Sequence, residues 1–227
     1  MTFAAAGSNL LLSMGQANEL KKELIETGRL LYEKGMLAGS DGNLSARIDE
    51  NRLLITRSGV AKGRLGLDDF VELNIEGELI SGSCQPSSET AMHLTVYKNR
   101  TDIRCCLHSH PPFATSFAVA GIELDRNILP EVAVFVGNIP LVEYAPPGTG
   151  AISEAIEPLL EKNDAFLLKN HGLLTIGRSI KEAFFKHETV EHFAKILWMA
   201  KQLGNVNTIS DDELKRLDQL RQSLTSS

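Results

Sequence analysis

Arg104-Cys105-Cys106-Leu107-His108-Ser109-His110-Pro111-Pro112-Phe113 is a short apolar run that ends on two histidines and is stopped by two prolines. The run reads as a strand. Along a strand, residues i and i+2 project from one face about 6–7 Å apart, so His108 and His110 can converge on one metal ion. Neutral imidazole is a common zinc ligand, but two nitrogens hold the ion poorly and a third donor is needed. Phe166-Leu-Leu-Lys-Asn-His171-Gly-Leu offers one, about sixty residues on. A loop histidine followed by glycine, between two apolar runs, comes beside the first pair if strand pairing brings it there.

The chain has 227 residues, enough for a domain with a proper core. Its 43% hydrophobic and 23% charged residues are ordinary for a soluble globular protein. A net charge of −6 and the lack of a dense Lys/Arg cluster argue against nucleic acid, which needs a basic face. An acidic chain can still take one small phosphate through backbone N–H groups. Cys84, Cys105 and Cys106 are odd in number and two are adjacent. That is no disulfide framework, and a cytoplasmic location is expected. Residues 1–12 carry no positive leader and no bilayer-length apolar span. They are expected to form a flexible arm before a single domain over 13–227, with no membrane partner.

The remaining pattern alternates irregularly. Ser13-Met-Gly-Gln16 resembles a capping box, and helix-spaced Leu20, Leu24 and Leu31 follow to about Gly35. A Gly/Asn-rich loop over 38–43 leads into a strand, and Leu53–Thr56 reads as a second. Val71–Ile75 and Leu79–Ile80 read as a hairpin. Pro86-Ser87-Ser88-Glu89 opens a helix through Tyr97, and Pro111 opens another to about Ala120. Val132–Val136 and Ile139–Val142 are strand-like, Pro146–Gly150 leads into a helix ending near Lys162, and short strands flank His171. Ser179-Ile-Lys-Glu182 caps a long helix to Gly204, and Ser210-Asp-Asp-Glu213 caps a last one. The expected fold is one three-layer α/β/α domain with a mostly antiparallel central sheet.

Three neutral histidines leave the charge of a divalent ion uncancelled, and an open position would let a substrate oxygen bind and be polarised. Cys106 shares the His108 face by alternation, yet a buried small hydrophobe is the better reading for it. His187 and His192 read as surface residues of the long helix. Glu89 in a first helical turn has a plain explanation as a helix-end charge. Its company suggests more: Ser87 and Ser88 precede it, and the loops Gly42-Asn43 and Ser58-Gly59 add amide, hydroxyl and N–H donors. Together these suit a phosphate dianion.

Gly39-Ser-Asp-Gly42-Asn43-Leu-Ser, Thr56-Arg-Ser58-Gly59, Pro86-Ser87-Ser88-Glu89, His108-Ser-His110-Pro and Asn170-His171-Gly172 follow one another in an order that resembles the class II aldolase/adducin family. Tyr144-Ala-Pro-Pro-Gly-Thr149 and the long C-terminal helix extend the likeness over roughly residues 15 to 205. The resemblance implies a metal-dependent sugar-phosphate lyase, nearest in character to the fuculose-phosphate aldolases. His108, His110 and His171 would hold zinc, with cobalt or manganese also acceptable to imidazole. Gly42, Asn43, Ser58, Gly59, Ser87 and Ser88 would cradle the phosphate, and Glu89 would be the catalytic acid/base. The reaction would release dihydroxyacetone phosphate and a small aldehyde from a ketose 1-phosphate through a metal-stabilised enediolate. Fuculose 1-phosphate and 5-deoxyribulose 1-phosphate are the candidate substrates. A homotetramer with active sites at subunit interfaces is implied as well.

Within the family, glutamate at position 89 argues against the 4-epimerases, which carry aspartate there, and the full histidine set argues against an adducin-like scaffold. Decarboxylation of a 3-oxo-tetronate phosphate and dehydration of methylthioribulose phosphate would use the same metal and phosphate sites. One departure bears on the leaving half. The family aldolases place a tyrosine near Leu129-Pro130-Glu131 and another near the C-terminus, whereas this chain has no tyrosine after Tyr144. Glu131 is a candidate substitute, and a surface turn carboxylate is an equal reading.

Overall fold

In the computed structural model, which describes residues 3–225 and side chains over 15–224, the opening run forms a strand inside an eight-stranded sheet. The strands are β1 (Asn43–Arg47), β2 (Arg52–Thr56), β3 (Phe70–Asn74), β4 (Leu79–Ser81), β5 (Cys105–Ser109), β6 (Leu141–Val142), β7 (Ala165–Leu168) and β8 (Gly172–Gly177). Their order is β4-β3-β2-β1-β5-β8-β7-β6. Every adjacent pair is antiparallel except β6 with β7. Strand β5 is buried along its whole length, because helices cover both sheet faces.

Those helices are α1 (Phe3–Glu33), α2 (Thr90–Asn99), α3 (Pro112–Ala120), α4 (Gly150–Ile156), α5 (Ile180–Leu203) and α6 (Asp211–Thr225). Strand alternation sorts the sheet's side chains between two sides. Cys106, Leu174 and Ile176 pack with Met92, Val96 and Tyr97 of α2 and Ile152 and Ile156 of α4. Leu44, Ala46, Cys105 and Leu107 pack on Leu24 and Leu31 of α1 and Ala183 of α5. Leu167 and Leu173 extend that second side against Ala114 of α3 and Phe193 of α5. Truncating a fully buried leucine such as Leu107 or Leu174 to alanine would cost about 2–5 kcal/mol. The arrangement is the expected three-layer α/β/α domain, and Cys106 is the buried small hydrophobe of the preferred reading.

Three boundaries differ from the expectation. Helix α1 runs from Phe3, so Ser13-Gln16 lies inside it and the expected arm over 1–12 is helical from Phe3 on. Ala4–Ala6 and Leu10–Leu12 are strong helix formers and no proline interrupts them, so a mid-helix serine starts nothing. Val132–Val136 is a π-helical turn rather than a strand. A five-residue apolar run carries no period of its own, and here Gly137, at φ +84°, closes it by donating from its N–H to the Val132 carbonyl at 2.7 Å. Helix α2 begins at Thr90, one residue beyond Glu89, so Pro86–Glu89 forms the approach to the helix. Among the described residues, no helix is long and apolar enough to cross a membrane.

Candidate active site

The register of the central strands assembles the site. His108 pairs with Asn43 on one side and Leu174 on the other. Leu168 pairs with Gly172, so β7 and β8 join through a three-residue turn, with Asn170 in the left-handed region at φ +55°. That turn delivers His171 to the end of β5. Gly172 lets it approach: a Cβ there would stand 2.5 Å from the Ser109 carbonyl and 2.6 Å from the His110 ring. The imidazole centroids of His108, His110 and His171 lie 4.6–5.1 Å apart. One ring nitrogen from each falls within 4.8 Å of the other two.

The protonation pattern of His108 follows from its contacts. Nδ1 lies 3.0 Å from the Leu173 carbonyl, which only accepts, so Nδ1 carries the hydrogen and Nε2 presents a lone pair. Burial, then the neighbouring His171 and His110, hold its pKa well below the ordinary value, so the ring is neutral. His171 is lowered as well, by burial foremost, with Glu89 opposing. His108 Nε2, His110 Nε2 and His171 Nδ1 are all buried without a hydrogen-bond partner. Glu89 Oε2 stands 3.3 Å from His108 Nε2, and Oε1 stands 3.2 Å from His171 Nε2. A lone pair facing a carboxylate oxygen at that distance is repulsive unless a cation lies between them. Three imidazole nitrogens without partners beside one carboxylate therefore fit a divalent metal ion. Asp41, with a carboxylate oxygen 3.5 Å from His110 Nδ1, flanks the cluster on its open side.

Glu89 is not a capping residue. It occupies the position before α2, and its side chain makes no cap hydrogen bond. Instead its Oε2 accepts from Asn43 Nδ2 at 2.8 Å. The three donor-rich segments adjoin through Thr56. Its hydroxyl accepts from the Leu44 N–H and its carbonyl accepts from the Ser87 N–H. Ser58 N–H donates to the Gln85 carbonyl at 2.9 Å, which aligns residues 56–59 with 85–88. Ser58, Gly59 and Ser88 are exposed, while Gly42, Asn43 and Ser87 are buried. Gly42 is the required residue there, at φ +73° and with the His108 carbonyl 2.5 Å from where a Cβ would sit.

The structure thus brings His108, His110, His171, Glu89 and Asn43 into one cluster, with the Ser58 and Ser87 segments beside it. Glu131 is exposed at the start of the π-helical turn and makes no hydrogen bond or ion pair with the cluster. His187, read as surface, is fully buried: its Nε2 lies 2.7 Å from Ser109 Oγ and its Nδ1 2.9 Å from Thr175 Oγ1. It props β5 between the two metal-type histidines, from the face opposite His108. His192 is exposed as expected. Glu191 was not singled out in sequence. Its carboxylate accepts from the Phe113 and Ala114 N–H groups at 3.0 and 2.8 Å and so caps α3 directly after His110-Pro111. His93, Ser45 and Tyr97, also unremarked, lie behind Asn43.

Known proteins resemble the chain in sequence and in fold. An L-fuculose phosphate aldolase of Methanococcus maripaludis is 35% identical over 181 residues, covering 80% of this chain and 97% of that one. A 3-oxo-tetronate 4-phosphate decarboxylase of Haemophilus influenzae is 32% identical over 203 residues, covering 87% and 95%. A 5-deoxy-D-ribulose 1-phosphate aldolase of Bacillus thuringiensis is 34% identical over 200 residues, covering 87% and 92%. A solved L-fuculose 1-phosphate aldolase superposes with a TM-score of 0.82 at 32% identity, over 88% of this chain and 95% of the other. The profile of the Class II Aldolase and Adducin N-terminal domain matches residues 22–198, a span that holds the histidine cluster, Glu89 and all three donor segments. By sequence and by fold, the chain belongs to the class II aldolase and adducin family.

Proposed function

We propose that the chain is a zinc-dependent aldolase that cleaves a (deoxy)ketose 1-phosphate, such as L-fuculose 1-phosphate or 5-deoxyribulose 1-phosphate, into dihydroxyacetone phosphate and a small aldehyde. One observation carries the reading: the Glu89 carboxylate has its two oxygens 3.3 and 3.2 Å from nitrogens of His108 and His171 in a three-histidine cluster. A divalent ion bound by His108, His110 and His171 would supply Lewis-acid stabilisation of the negative charge that builds on the substrate as its C3–C4 bond breaks.

The chain's own residues do the rest. Ser58, Gly59, Ser87, Ser88 and Gly42 hold the phosphate through hydroxyl and N–H groups. Asn43 serves both sides, since one amide hydrogen tethers Glu89 and the other remains free for the phosphate. Glu89 hands a proton to C3, the carbon left electron-rich by cleavage, and removes it in the reverse direction. The leaving hydroxyl must lose its own proton. Glu131 is the candidate for that step only through association of subunits, in the homotetramer with interface sites that we infer for this chain. Light scattering tests it, and a fully active monomer would remove it.

Decarboxylation of a 3-oxo-tetronate 4-phosphate is the second reading. It is favoured by the Haemophilus influenzae relative and by the lack of any tyrosine after Tyr144, because departing carbon dioxide needs no base on the leaving side. Both reactions require the same proton transfer at the carbon next to the carbonyl. Zinc-loaded protein should therefore exchange one hydrogen of dihydroxyacetone phosphate for deuterium in heavy water, followed by proton NMR. Absence of exchange with the metal bound would remove the proposed role of Glu89.

A further inference from the structure

Behind Glu89 lies an unbroken row of side chains. Tyr97 Oη is 2.8 Å from Ser45 Oγ, which is 2.6 Å from His93 Nδ1. His93 Nε2 meets Asn43 Oδ1, and Asn43 Nδ2 is 2.8 Å from Glu89 Oε2. All five are buried, with Ser45 and His93 completely so. Two periodicities build the row. His93 and Tyr97 are four residues apart on one face of α2, Glu89 stands four residues before His93 at the entry to that helix, and Asn43 and Ser45 alternate on one face of β1.

The direction of each hydrogen bond is determined. A carboxylate oxygen only accepts, so Asn43 faces Glu89 with its NH₂ and faces His93 with Oδ1. His93 Nε2 must then carry the hydrogen. Burial pushes the His93 pKa to about 3, so the ring is neutral and Nδ1 bears a lone pair. Nδ1 accepts from the Ser45 hydroxyl, whose oxygen accepts from Tyr97. Reversing one member sets two acceptors face to face in a buried space. Arg47 secures the far end: its guanidinium lies 4.9 Å over the Tyr97 ring and donates to the Tyr97 carbonyl. An amide does not relay protons as a hydroxyl or imidazole does, so what the row transmits is orientation.

We propose that His93 is the positioning residue of the site: through the Asn43 amide it ties down Glu89 Oε2 and leaves Oε1 as the oxygen that exchanges the substrate's proton. Glu89 Oε1 has no hydrogen-bond partner, as that division of labour requires. The inference rests on the proton-transfer role proposed for Glu89, so its test needs a readout that is independent of turnover.

Metal-free protein labelled with ¹⁵N-histidine supplies that readout. Long-range ¹⁵N–¹H correlation should find His93 as the Nε2–H tautomer, with no titration between about pH 5 and 8. His93→Phe keeps the ring volume and removes both nitrogens. It should lower kcat about 10- to 100-fold with bound zinc unchanged, and His93→Gln, which restores a donor amide, should recover most of the loss. Tyr97→Phe, at the far end of the row, should lower kcat less. Should His93→Phe fail to fold, the wild-type tautomer and the kcat of Ser45→Ala, also expected to fall, decide the question. An Nδ1–H tautomer, ordinary titration of His93, or unchanged kcat in a folded variant would overturn the proposal. If no ketose phosphate is turned over, the tautomer still separates the two readings. An Nε2–H ring upholds the positioning row and removes only the aldolase role, and an Nδ1–H ring removes the row whatever the substrate.

Discussion

Gly172→Ala is the sharpest perturbation of the histidine cluster, because it adds one methyl group and nothing else. Gly172 does not occupy the left-handed region, so the backbone itself tolerates alanine. The added carbon would stand 2.5 Å from the Ser109 carbonyl oxygen, 2.6 Å from His110 Cδ2 and 3.2 Å from His108 Cε1. Favourable contact begins at about 3.5 Å, so the first two overlaps are roughly 1 Å deep. Ser109 belongs to the β5–β8 ladder, so relieving the first overlap strains that ladder, and relieving the second swings the His110 ring away. Overpacking of this kind costs about 1–3 kcal/mol. Loss of one of three donors should weaken zinc binding at least about tenfold. Urea unfolding of the metal-free variant measures the first quantity, and titration against a competing chelator measures the second. Gly39→Ala is the control: its φ is +54° and no atom lies within 4 Å of an added Cβ, so it should cost only the backbone strain of about 1–2 kcal/mol and leave zinc affinity intact. A Gly172→Ala protein with wild-type stability and wild-type zinc affinity would refute the packing argument for the site.

Other outcomes follow from the same geometry. Glu89→Gln should retain zinc by elemental analysis yet lose about 10²–10⁴-fold in turnover, and near-normal rates would remove Glu89 from proton transfer. His108→Ala should empty the site, so undiminished zinc would mean the ligands lie elsewhere. His93 and His187 are both pushed by burial to about 3, so the unfolded chain binds more protons than the folded one between about pH 6.5 and 3. Their contribution is fully present above about pH 6.5 and is lost as pH falls, by about 2 kcal/mol per histidine from pH 7 to pH 5. His187→Gln should reduce that slope in urea titrations, and an unaltered slope would contradict a buried neutral His187. Glu191→Ala should cost about 1–3 kcal/mol by leaving two N–H groups of α3 without their acceptor, with thermal unfolding as the check.

The metal-type cluster was legible in sequence because it obeys a period of two. His108 and His110 share a strand face, and Asn170-His171-Gly172 has a composition only a tight turn explains. The loops at Gly42, Ser58 and Ser87 stood out for the same compositional reason. His93 escaped notice because Glu89, His93 and Tyr97 make a polar stripe on a helix, and such stripes usually face water. Its signal was the four-residue step from Glu89. His187 escaped for the opposite reason: it sits within the buried Ala183–Val190–Ala194 stripe of α5, where a histidine needs partners that only the tertiary fold supplies. Val132–Val136 could not be resolved by pattern, since five apolar residues fit either period and the backbone turn at Gly137 decides between them.

The proposed reaction is cleavage of a ketose 1-phosphate at the three-histidine site with Glu89 as acid/base. Zinc-loaded protein, incubated with a panel of ketose 1-phosphates and with a 3-oxo-tetronate 4-phosphate, tests it most directly when dihydroxyacetone phosphate, aldehyde and carbon dioxide are all measured. Dihydroxyacetone phosphate and aldehyde should form in equal amounts from at least one deoxyketose 1-phosphate, abolished by a chelator and restored by zinc. Full zinc occupancy with no aldehyde from any ketose phosphate, or with carbon dioxide from the oxo-acid alone, would contradict it.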